Sequence, residues 1–396
     1  MGSRIITYSG GAFSLSRRSC RIVSGLEQPA GGAAVRWQVL EQVDKELSNG
    51  NERAALNLVK DLQAKPGGLR CFGTARQIPQ RLYTLDELRL NGIEAASLLS
   101  PVDTTLGSIE RIIQAAALLG GIAAWNVFDL SPQQILFTSL GFLFLWTFDA
   151  VSFNGGISFL VLDTLAHSFS QKYHDRVVQH EAGHFLIAYL LGILPKGYTL
   201  TSLDALKKEG SLNVQAGTAF VDFEFLEEVN KGKVSATTLN KFSCIALAGV
   251  ATEYLLFGTA EGGLADINTV LFPSDLSILS LTPAVSSTFE LLADNVKEIL
   301  FSRKIEFCCY LPWIKCYLSI LLTWTFSGRQ LDKLLKSLGF TQKKADAQVR
   351  WAVLNTVLIL RRHEKARAVL ADAMSEGRSV SSCVDAIEET IDVRDL

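Results

Sequence analysis

The sequence lacks an excess of either charge: 38 Lys and Arg face 40 Asp and Glu, a formal net charge of −2. No bulk electrostatic case for nucleic acid exists. Paired cysteines are also missing. The seven cysteines are odd in number and show no paired spacing, so neither a disulfide framework nor a cysteine-rich zinc site is implied, and a reducing compartment fits best. Histidine is scarce, at five residues. Acidic residues are absent from the first 26 positions, which carry Arg4, Arg17, Arg18 and Arg21 among six serines. That composition reads as an organelle transit peptide over residues 1–30; the bland alternative is an ordinary disordered N-terminus.

What is abundant is apolar. Hydrophobic residues make up 48% of the chain and its mean hydropathy is +0.23, so part of it is expected to meet lipid. Residues 31–105 read as an N-terminal helical region. Two short amphipathic helices lie over about 35–63, one with a stripe of Trp37, Leu40 and Val43, the other of Leu56, Val59 and Leu62. Ser48-Asn49-Gly50-Asn51 separates them and Pro66-Gly67-Gly68 ends the pair.

Residues 106–165 hold two long apolar stretches, Ile112 to Leu130 and Ile135 to about Leu162. Each can cross a hydrocarbon core of about 30 Å, which predicts a transmembrane hairpin. Gln114, Asn126, Asp149 and Asn154 interrupt them, and a pair of buried core helices is the competing reading. The connection from Asp129 to Gln134 has no Lys or Arg, whereas Arg111 precedes the pair and Lys172 and Arg176 follow it. The positive-inside rule puts both ends on the side of synthesis.

Residues 166–267 hold the chemistry. Ser170 to Leu191 reads as one helix, closed by Gly192 and Pro195. It carries His180-Glu181-Ala182-Gly183-His184. Histidines at i and i+4 share a helix face and can hold one zinc ion at about 2.0–2.1 Å each. Glu181 projects beside the metal, where it can act as general base on a water. Ala182 and Gly183 suit a helix packed closely against a neighbour. The competing reading is a helix with two unligated histidines. His167 and His174 read as interfacial residues rather than ligands.

These motifs resemble the FtsH family of membrane-bound zinc metallopeptidases. The segment Ala248 to Gly258 is similar to the family's helix of small residues, acids and a Phe-Gly end, and Gly263-Leu264-Ala265-Asp266-Ile267 to its Asn-Asp-Ile segment. The resemblance implies zinc bound by His180, His184 and Asp266, with Glu181 catalytic. Glu253 is either an acceptor orienting a ligand histidine or a helix-surface salt bridge. Residues 214–225 have strand character, and the family places a substrate-holding edge strand near this point; a purely structural strand is the alternative.

The fold implied is mainly α, a membrane helical hairpin followed by a helical zinc domain with a short β-sheet. No G-x-x-x-x-G-K-[ST] occurs, so no ATP site is expected, unlike in FtsH itself. The layout resembles the stand-alone plastid members without the ATPase module. That implies peptide-bond hydrolysis of protein substrates at a chloroplast membrane, thylakoid or envelope, with the peptidase domain stromal. Partners implied are a homo-oligomer or true FtsH complexes. The rival function is a catalytically weak scaffold or assembly partner of such complexes.

The resemblance covers about 100–267 and 329–391, and residues 329–396 are expected to complete the domain, with a long helix from Trp351 to Met374. Residues 268–328 fit poorly and hold Cys308, Cys309 and Cys316. A translated intron explains them; the rival is a third membrane pass near Tyr310–Phe326, against which Pro312 and Lys315 count. If translated, the insertion begins two residues after Asp266 and can displace that ligand. Sequencing the mature transcript is expected to show most copies without codons 268–328; their presence in most copies rules the insertion out.

Overall fold

The computed structural model describes residues 30–63, 65–99, 104–129, 131–153, 155–210, 216–231, 234–261, 341–392 and 394. Asp266, Asn154, residues 1–29 and the 268–328 segment lie outside the described residues. The architecture is mainly helical with one two-stranded antiparallel sheet.

Helices α1 (Ala30–Ser48) and α2 (Glu52–Gln63) pack together across a turn in which Gly50 takes φ +76°. Short helices α3 (Leu85–Leu90) and α4 (Ala95–Leu99) follow. Leu40 and Val43 of α1 are buried as expected, but Trp37 is 43% exposed. The inward stripe is instead 36, 40 and 43, because Arg36 is buried in an ion pair with Asp385 at 2.6 Å.

Two long apolar helices come next, α5 (Thr104–Phe128) and α6 (Pro132–Ser152). Both are long and apolar enough to cross a membrane by length and composition. Leu118, Leu119, Trp125, Phe142, Phe144 and Trp146 are all exposed on them, an extent of apolar surface that marks a contact with lipid or a partner. Helix α5 starts eight residues before Ile112. The second stretch does not run to Leu162: it breaks after Ser152, and α7 (Gly156–Phe169) begins beyond Gly155 at φ +77°. Asp149 makes that corner. Its carboxylate accepts from the main-chain N–H of Ile157 at 3.0 Å and of Ser158 at 2.9 Å, capping α7. Asn126 is satisfied within its helix, donating to Ile122 O at 2.8 Å.

The centre of the core is α8 (Gln171–Leu190). Ser170 starts it, its hydroxyl accepting from Tyr173 N, and Gly192 at φ +78° ends it. From His180 to Leu190 every residue is buried. Phe185, Leu186, Ile187 and Leu190 are fully enclosed and each contributes about 1.5–3 kcal/mol. Around α8 pack strand β1 (Pro195–Thr199), strand β2 (Gly217–Phe220), α11 (Ala236–Ala246), α12 (Ala248–Phe257), α13 (Gln342–Arg362) and α14 (Glu364–Ser375). The strands pair from Pro195↔Phe220 to Thr199↔Gly217. Between them lies α9 (Ser202–Glu209), and after β2 comes α10 (Phe223–Asn230).

Two expectations change here. Strand character over 214–225 survives only at Gly217–Phe220 among the described residues, since Phe223 opens α10 and Phe225 stacks on Phe242 at 4.1 Å. The single helix from Trp351 to Met374 breaks at His363, with φ −111° and ψ 32°. Both α13 and α14 still pack on α8.

The last helix, α15 (Val380–Thr390), ties the termini together. Fully buried Glu388 accepts from Arg70 N and Cys71 N, both at 2.8 Å, and from the Tyr189 hydroxyl at 2.6 Å. Burial and this carboxylate push the Cys71 thiol up to about 12, so it stays protonated and inert. Cys71, Cys244 and Cys383 are all free and buried. The N-terminal helices, α8 and the C-terminal helices thus share one core. Glu388→Ala leaves three buried donors unsatisfied and is expected to cost about 3 kcal/mol or more, read from the denaturant midpoint of unfolding.

Candidate metal centre

The helical period puts His180 and His184 on one face of α8, and two different neighbours fix their rings. His180 Nδ1 lies 2.6 Å from Glu253 Oε1 on α12. His184 Nδ1 lies 2.8 Å from the Ile245 carbonyl near the end of α11. Both partners are pure acceptors, so each Nδ1 carries a hydrogen and the Nε2 atoms are the nitrogens left to face a metal. The two Nε2 atoms face each other at 3.1 Å. At that separation the two rings either share a proton or, as neutral imidazoles, offer both lone pairs to one cation. One ion can reach both at the ordinary zinc–nitrogen distance of about 2.0–2.1 Å, so the donor set fits zinc.

Close packing of α12 on α8 makes this arrangement possible. A Cβ on Gly249 would sit 2.0 Å from His180 Nε2, and one on Gly183 would sit 2.1 Å from Thr252 Oγ1. Ala182 is fully buried beside them. The close neighbour expected from Ala182 and Gly183 is therefore α12, which meets α8 at Gly183 through Thr252 and at His180 through Gly249.

Glu253 is 1% exposed, which removes the surface salt-bridge reading of this residue. Besides His180 it binds the Arg176 guanidinium at 3.1 Å and the Glu261 main-chain N–H at 2.7 Å, both through Oε2. Burial pushes its carboxyl up, but the hydrogen bond and charge of His180, the Glu261 N–H and Arg176 outweigh burial and hold it below the usual carboxylate range. An ionised acceptor on Nδ1 fixes the tautomer and raises the basicity of the other nitrogen. Arg176 is itself 5% exposed and packs on the Phe257 ring at 4.4 Å. It is a site residue, and the flanking positive charge expected of it is spent inside the domain.

Glu181 sits on the adjoining face of α8, 3% exposed. The Thr218 hydroxyl of β2 donates to its Oε2 at 2.8 Å. The sheet thereby holds this carboxylate on the turn of α8 that carries His180. His167 and His174 lie elsewhere, at the corner of α7 and α8, with ring centroids 5.4 Å apart and His167 Nδ1 bonded to Asp163 O at 3.0 Å.

Among the described residues no group of three His, Cys, Asp or Glu has the geometry to hold a metal. Asp266, the third ligand that the resemblance implies, lies outside them, five positions beyond Glu261. The chain matches no protein-family model, no curated protein and no solved structure. The geometry of α8, α11, α12 and β2 therefore carries the functional argument.

Sequence reasoning missed Thr218, Gly249, Arg176 and the Ile245 carbonyl. Gly249 had a usable signal, a small residue in the segment most similar to the FtsH family. A main-chain carbonyl leaves no trace in sequence. Gly249→Ala is expected to displace the His180 ring and abolish stoichiometric zinc binding, measured by chelator competition, while far-ultraviolet dichroism stays helical.

Proposed function

We propose that the chain is a membrane-anchored zinc endopeptidase of the FtsH-like kind, without an ATPase of its own. The observation that carries this reading is the pair of Nε2 atoms 3.1 Å apart on the helix that also carries the buried Glu181. Zinc would be held by His180 and His184, with Asp266 as the third ligand that the resemblance implies. When bound, the metal makes a water acidic near neutral pH and polarises the scissile carbonyl.

The chain's own residues do the rest. Glu181 takes the proton from the attacking water and delivers it to the leaving amine. Thr218 holds one oxygen of Glu181 and so limits the ways the carboxylate can turn. Glu253 fixes the His180 ring and the Ile245 carbonyl fixes that of His184. A substrate laid as an extended strand along β2 would bring its backbone to Glu181 through the same element that carries Thr218. Main-chain pairing of that kind reads shape more than sequence, which suits a general protein-degrading role.

Two apolar helices ahead of the site support anchoring in a membrane, and the acid-free, Ser/Arg-rich start supports an organelle. The resemblance to plastid members selects a chloroplast membrane, with the peptidase domain on the stromal side.

The test compares zinc stoichiometry and casein cleavage for the full chain in detergent with those of Glu181→Gln. Zinc is expected to be retained and cleavage to fall by about 10²–10⁴-fold. Zinc-free wild type, or equal cleavage by the variant, ends the reading and leaves the scaffold role. Thr218→Val is expected to lower kcat about tenfold with zinc still bound.

A further inference from the structure

A chain of polar contacts runs from the first apolar helix to the ligand histidine. Thr105 N, in the first turn of α5, donates to Glu261 Oε2 at 3.1 Å. An anion is favourable there because the first turn of a helix presents unpaired N–H groups. The other oxygen of Glu261 lies 3.4 Å from Arg176 Nη1. That same nitrogen lies 3.1 Å from Glu253 Oε2. Glu253 closes the path on His180 at 2.6 Å. Arg176, Glu253 and Glu261 are each less than one-tenth exposed, so solvent does little to screen them.

We propose that Glu261 and Arg176 are positioning residues through which the seating of α5 sets the strength of the Glu253–His180 hydrogen bond. Two carboxylates share one guanidinium. Whatever holds Glu261 more firmly on α5 leaves Arg176 freer to lean on Glu253. Whatever releases Glu261 from α5 strengthens its pull on Arg176, and Glu253 then turns more of its charge toward His180. Helix α5 is the first of the two helices able to cross a membrane, so its seating is open to change by the surrounding bilayer. The path is a continuous set of direct contacts.

Two variants pull the relay in opposite directions. Glu261→Ala leaves Glu253 as the one carboxylate on Arg176, beside the Thr259 carbonyl, weakening the bond to His180. Thr105→Pro removes an N–H that donates to Glu261, in the first turn of α5 where proline is tolerated. The full chain, labelled with ¹⁵N-histidine and held in lipid nanodiscs without metal, reports on the His180 Nδ1–H proton. The expected result is an upfield shift in Glu261→Ala and a downfield shift in Thr105→Pro. Zinc affinity follows the same order by chelator competition, falling about tenfold in the first variant and rising in the second.

Shifts in the same direction, as general loosening of the fold would give, overturn the proposal. So does an unmoved signal in both variants. Only the zinc readout rests on the peptidase reading. Opposite shifts in the two variants, with a wild type that binds no zinc, would sustain the relay and remove the peptidase.

Discussion

Helix α12 touches α8 where two glycines leave room, and the candidate site depends on that contact. At Gly249 the backbone of α12 comes within a methyl group's reach of the His180 ring, and at Gly183 the backbone of α8 receives the Thr252 side chain. The same approach brings Glu253, one turn along α12, under His180 Nδ1. A larger residue at either glycine would separate the helices and remove the acceptor that sets the tautomer. Packing and chemistry are therefore one constraint here. Close-packed interiors have few voids, so a helix pair built at this distance has no slack with which to absorb a Cβ.

Burying an ionised Glu253 is costly, and the surroundings offset it with His180, the Glu261 N–H and a guanidinium. Arg176 makes the arrangement possible on α8 itself, one turn before His180. Its apolar side is covered by Phe257, so the charge is held between an aromatic face and two carboxylates. The resulting cluster joins three elements: α8, α12 behind it, and the segment that follows α12 as far as Glu261.

The apolar helices obey a different rule. Their polar residues are satisfied locally, Asn126 and Thr147 by the preceding turn and Asp149 by the cap it makes on α7. Such internal pairing is what a lipid environment demands of groups that water cannot reach. Helix α7 packs against both long helices and against α8, so it is the mechanical link between the apolar pair and the core. Glu388, at the far end of the domain, does the equivalent work for the termini.

The sequence by itself determined the helix from Ser170 to Leu191, the shared face of His180 and His184, and the two long apolar helices. Each of these follows from local periodicity and capping, which are written into consecutive residues. It was less secure wherever the answer depended on a partner far along the chain. Trp37 lost its inward place to Arg36 because Asp385 waits across the core, and Phe223 joined a helix because Phe242 stacks on its neighbour Phe225. Arg176 looked like a membrane-flanking charge until Glu253 and Glu261 were found beside it. Glu253 had two readings, and only its depth beneath His180 decided between them. The Ile245 carbonyl and the Thr218 hydroxyl could not have been chosen in advance, since contacts between residues dozens of positions apart exist only once the helices have packed.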